Sequence, residues 1–152
     1  MKLAEALVQR ATLQKRLHEL RERIGKSALV QEGNEPVEDA NALLRQAERL
    51  IDQMTTLVKQ INDTNSVSRL ADGRTLTHAL AERDALATRA RLYRSAAEAG
   101  TPQMNRYSNT EIRSISTVDV AALRQRADET AVAYRELDTL IQAANWTVDL
   151  IE

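Results

Sequence analysis

Two arginines stand where a helical seam calls for aliphatic side chains. Arg10 lies seven residues after Leu3 and seven before Leu17, and Arg83 lies three after Leu80 and three before Leu86. An inward guanidinium needs an anion beside it, because an unpaired buried charge is costly. Its planar fork of donors suits a carboxylate or a phosphate. Asp52, Asp138 and Asn145 are the candidate partners on the helices that would face them. Three readings follow. Paired with protein groups, the arginines fix helix register. Facing a shared cavity, they bind a small anion. With heads carried outward on apolar stems, they are ordinary snorkelling side chains.

Metal chemistry has less to build on. Di-metal helix bundles use Glu-x-x-His pairs that project inward. The two histidines are His18 and His78, and the residues three before them are Lys15 and Thr75. The four glycines, at 25, 33, 73 and 100, form no phosphate-cradling loop. No serine sits in a nucleophile-elbow pattern. We therefore assign no catalytic residue, no metal ligand and no cofactor. Arg16, Arg21, Arg23 and Lys26 on the first helix, and Arg83, Arg89, Arg91 and Arg94 on the third, raise the question of nucleic acid. Glu19, Glu22, Glu82 and Asp84 interrupt them, and no aromatic stacking platform accompanies them. They read as solvated faces.

These residues must be carried by helices. Of 152 residues, Ala, Leu, Arg, Glu and Lys make up half, the composition of long helical chains. There is no cysteine, so disulfides and thiolate sites drop out. The net charge of −1 gives no general attraction to nucleic acid or acidic membranes. No apolar run is long enough to span a bilayer. Glu5 interrupts what would be the apolar region of an export signal. The expectation is a cytoplasmic protein with no nucleic-acid or membrane partner.

The apolar spacing predicts an all-α, antiparallel four-helix bundle in a single domain, with helices over about 2–24, 39–63, 75–98 and 117–151. The second seam, Leu43, Ala47, Leu50, Met54, Leu57 and Ile61, alternates steps of three and four, and Leu44, Ile51 and Val58 widen it. A face that broad suits a bundle better than a two-stranded coil. Gly25 is the expected stop of helix one, and Asp39 the expected N-cap of helix two. Asp72-Gly73 marks a turn, with Thr75 as the next cap. Ser116 or Thr117 opens helix four. That helix reads as the longest, about 50 Å against about 35 Å for the others. Its overhang carries Trp146, Val148, Leu150 and Ile151, which we take as interface candidates for a homo-oligomer. The connections 25–38 and 99–116 hold β-compatible pieces near 28–32 and 111–116. They predict a small two-stranded clasp.

Several segments also resemble a known family. They include Lys2-Leu3-Ala4-Glu5-Ala6-Leu7, Val30-Gln31-Glu32-Gly33, Leu70-Ala71-Asp72-Gly73-Arg74-Thr75-Leu76 and Tyr134-Arg135-Glu136-Leu137-Asp138, with Asn145-Trp146 near the end. Together they resemble small bacterial proteins labelled septicolysin, over essentially the whole chain. The resemblance implies no catalytic residue, and its label implies a membrane-active protein. The leading expectation is a non-enzymatic module that self-associates or binds another protein. A small-anion-binding protein or enzyme using Arg10 and Arg83 is the second reading. A membrane-active protein is the third.

Overall fold

The computed structural model describes residues 1–103 and 112–152. The fold is all-α. Helix α1 runs Leu3–Ser27, α2 Ala40–Val67, α3 Leu76–Ala99 and α4 Val120–Thr147. The chain forms two compact units, residues 1–75 with 142–152, and residues 76–141.

In the first unit α1 and α2 form an antiparallel hairpin. Leu20 packs with Leu43 and Ala47, and Leu17, Ile24 and Leu50 close around them. The inward residues are Leu3, Ala6, Leu13 and Leu20 on α1, and on α2 Leu43, Ala47, Leu57 and Ile61 of the predicted seam. Asp39 caps α2 as expected, its Oδ1 accepting from the backbone N–H groups of Asn41 and Ala42. Arg23 near the end of α1 makes a two-pronged bond to Glu38 beside that cap. Helix α1 does not stop at Gly25. It runs through to Ser27, and Gly25 takes no left-handed conformation. The buried Ser27 extends the packed face by a turn beyond Ile24.

The predicted long overhang of α4 is not there. Helix α4 has 28 residues, the same as α2. After Thr147 the chain straightens and runs antiparallel to the start of α1. The Leu3 N–H donates to the Val148 carbonyl at 3.0 Å, and the Leu150 N–H donates to the Met1 carbonyl at 2.9 Å. Val148 and Leu150 turn inward while Asp149 and Ile151 stay exposed, the alternation of a strand. The Ile151 N–H then donates to the hydroxyl of Thr64, a fully buried residue of α2. That hydroxyl in turn donates to the Gln60 carbonyl at 2.7 Å. One buried hydroxyl thus fastens the C-terminal segment to α2.

In the second unit α3 and α4 are antiparallel, as the pairs Arg83–Asp138 and Tyr93–Arg126 require. Here the buried seam is largely alanine: Ala79, Ala90 and Ala97 on α3 and Ala127 on α4, with Leu76, Leu137 and Ile141 at one end. Helix α4 starts three residues later than Ser116–Thr117 predicts. The cap is Asp119, whose Oδ1 accepts from the Ala122 N–H at 2.9 Å. Ser116 instead bonds within its own turn, to Val118. This loop lies so close to the end of α3 that a Cβ on Gly100 would meet the Val118 side chain at 2.6 Å.

Among the described residues there is no strand at 28–32 or 112–116, and residue 111 lies outside them. The β-bridges that do occur are Lys2 with Asp149 and Arg69 with Thr75. The second closes the predicted turn, where Gly73 takes a φ of 88°. Two short strands alone are marginal in water. Leu29 and Ile112, each 88% exposed, find nothing to pack on.

Candidate functional site

The two core-phase arginines lie in different units and have different surroundings. Arg83, on α3, is about a quarter exposed. Its Nη1 meets Asp138 of α4 at 3.2 Å, and its Nη2 meets the neighbouring Asp84 at 3.0 Å. Partial burial works against its charge. The hydrogen bonds to Asp84 and Asp138 outweigh that effect and hold the guanidinium pKa above its ordinary value.

Arg10, on α1, is half-buried, and its Nε is enclosed without a hydrogen-bond partner. No carboxylate makes an ion pair with it among the described residues. Asp52 is exposed on α2, and its carbonyl accepts from the Thr56 hydroxyl. Asp138 is engaged with Arg83. Asn145 is buried at the end of α4 and donates to Gln142 at 3.5 Å. The structure therefore joins Arg83 to Asp138 and gives Arg10 no ion pair among the described residues.

The interface candidates divide as well. Leu150 is buried and Val148 half-buried, because the terminal strand turns them inward. Trp146 remains 64% exposed and Ile151 43%. Lys2 anchors this end. Its Nζ lies 2.8 Å from Asp149 and donates to the Thr147 carbonyl at 3.0 Å. The hydrogen bond from Lys2, then its charge, holds the Asp149 carboxyl below the usual aspartate range. Met1 at 54% and Val67 at 62% exposure belong to the same tied segments. Neither was among the residues selected from sequence. The alternation Val148–Asp149–Leu150–Ile151 was the available signal for the strand that gathers them.

A second arrangement escaped the sequence reading. On one face of the second unit a groove of about 380 Å³ is floored by Ala87, Ala90 and Ala131. Arg91, Arg94 and Arg135 stand around it, with Tyr134 beside them. Spacing gave the two α3 arginines a shared face. Only the hairpin register adds Arg135.

Among the described residues no group of three or more His, Cys, Asp or Glu side chains is placed to hold a metal. None of the described helices is long and apolar enough to cross a membrane.

A family profile described as a family of unknown function, DUF6847, matches residues 10–150. The chain belongs to the DUF6847 family. It is also similar to a solved protein from Corynebacterium diphtheriae, described as a functionally unknown conserved protein. The two share 42% sequence identity, the match covers 99% of each chain, and the TM-score is 0.93. Neither description carries the septicolysin label implied by the sequence resemblance. A comparison with curated proteins gives no match. These relationships give the DUF6847 chain a family and a fold, and no reaction.

Proposed function

We propose that this DUF6847 chain is a non-enzymatic helical module that self-associates through the end of its first unit. The observation that carries this reading is Trp146, the sole tryptophan, held 64% exposed on the last turn of α4. A tryptophan buries on the order of 150–250 Å² when covered, and it is enriched among residues that dominate binding energy. Met1, Val67 and Ile151 stay exposed on the segments that the Met1–Leu150 and Thr64–Ile151 bonds tie together. The end is also preorganised. Backbone hydrogen bonds, the Thr64 hydroxyl and the Lys2–Asp149 pair fix the backbone, so association orders little further chain.

Static light scattering over the micromolar range tests this. The expected mass is at least twice the 17.0 kDa of one chain. The double substitution Trp146→Glu and Ile151→Glu returns it to 17.0 kDa without loss of helicity. A wild-type mass of 17.0 kDa throughout contradicts the proposal.

A further inference from the structure

The arginine-rimmed groove of the second unit gathers three guanidinium groups from two helices. Arg91 and Arg94 lie one turn apart on α3, so their side chains share a face. Arg135 reaches the same groove from α4. Two other arginines of this hairpin are engaged within the protein. Arg83 pairs with Asp84 and Asp138. Arg126 lies 4.4 Å over the Tyr93 ring and donates to its hydroxyl. The three groove arginines make no ion pair among the described residues. Arg91 has only a 3.3 Å contact to the neutral Thr88 hydroxyl. Of the carboxylates near them in sequence, Glu98, Asp128 and Glu136 make no ion pair with them among the described residues, and Asp138, one turn from Arg135, pairs with Arg83.

The floor has the opposite character. Three alanines present methyl groups and no hydrogen-bonding side chain. The volume lies at the lower end of the range for small-molecule sites, ~300–1,000 Å³. Guanidinium forks match phosphate oxygens bidentately, and three of them suit more than one negative charge. The alanine methyl groups offer apolar surface to a flat ring, and Tyr134 lines the same groove.

We infer that the groove bounded by Ala90, Arg91, Arg94, Ala131, Tyr134 and Arg135 binds a small organic phosphate with two or more negative charges, its ring on the alanine floor. The site is independent of the self-association surface, which lies in the other unit.

Isothermal titration of the full chain at low ionic strength tests the inference with two probes, inorganic pyrophosphate and ADP. Both bind, ADP more tightly, and both weaken as salt is raised. The double variant Arg94→Gln and Arg135→Gln keeps the side-chain stems and loses affinity for both probes by about tenfold or more. Arg16→Gln, on an exposed position of α1, leaves the affinities unchanged. Absence of binding by both probes at millimolar concentration overturns the inference, as does unchanged affinity in a double variant shown by circular dichroism to be folded. Equal affinity for pyrophosphate and ADP overturns the organic part of the assignment.

Discussion

The two helical hairpins solve the same packing problem with different side chains. The first buries leucine and isoleucine along its seam and locks one end with backbone and hydroxyl hydrogen bonds. The second buries mainly alanine in its middle and leaves a groove rimmed by arginine. Large aliphatic side chains fill the space between helices and supply most of the burial energy, ~1.5–3 kcal/mol for each fully buried one. Alanines bury less surface and leave room at the flank of the seam. The first hairpin therefore reads as a scaffold with a sticky end, and the second as a surface with space for a ligand.

The largest expected effect comes from contrasting the two seams directly. Leu20→Ala, at 3% exposure in the first unit, should cost about 2–5 kcal/mol in denaturant unfolding. Ala127→Leu, at 1% exposure in the second, should cost about 1–3 kcal/mol by overpacking. If Leu20→Ala is nearly neutral while Ala127→Leu unfolds the chain, the contrast between the seams is reversed.

Next comes the buried hydroxyl. Thr64→Val keeps the shape and leaves the Ile151 N–H without its acceptor, at a cost of about 1–3 kcal/mol. Hydrogen exchange should show Ile151 losing protection before any amide of the α1–α2 core. Uniform loss across the unit would contradict a local tie.

The two inward arginines sharpen the comparison further. Arg83→Met removes the ion pairs to Asp138, which is about a third exposed, and to Asp84, and should destabilise by ~1 kcal/mol, between the surface and buried limits. Arg10→Met removes an unbonded enclosed Nε and should leave the melting temperature unchanged or raise it. The opposite ranking in a thermal melt would show that Arg10 has the stronger partner.

The smallest effect is acid sensitivity, and it belongs to the first unit. Glu38 and Asp72 are held below their usual carboxyl ranges by hydrogen bonds from Arg23 and Arg74, and Asp149 by the hydrogen bond and charge of Lys2. A carboxyl whose pKa is lowered by folding adds stability above its unfolded pKa. That stability is lost as pH falls through the folded pKa. Melting temperature should therefore decline below about pH 4, the ordinary carboxylate region. The Asp149→Asn variant should show a shallower decline than the parent. Equal slopes would remove Lys2–Asp149 from the account.

Much of this was legible in the sequence, for physical reasons that also mark where legibility stops. The seams of α1 and α2 follow from side-chain spacing, a local property. Asp39 was recognisable as a cap because its carboxylate serves N–H groups two and three residues on. The end of α4 was misread because Ala144, Val148 and Ile151 continue a helical phase, while Val148 and Leu150 equally fit an alternating strand. The partner that decides between them, the backbone at Met1–Leu3, lies at the far end of the chain. Arg83 with Asp138 was open to inference from seam phase. The lack of an ion pair for Arg10 among the described residues was not, because Asp52 has the right sequence height but is exposed. The arginine groove needed the α3–α4 register, which no local pattern carries.

The sole tryptophan lies on the proposed interface, so its emission reports association directly. Fluorescence should be recorded from high micromolar to low nanomolar chain concentration, with the scattering mass measured on the same samples wherever signal allows. Self-association predicts emission at shorter wavelength and a mass of at least twice 17.0 kDa when concentrated, and a red shift on dilution as Trp146 returns to water. Solvent-exposed emission that does not move with concentration, together with a mass of 17.0 kDa, would contradict it.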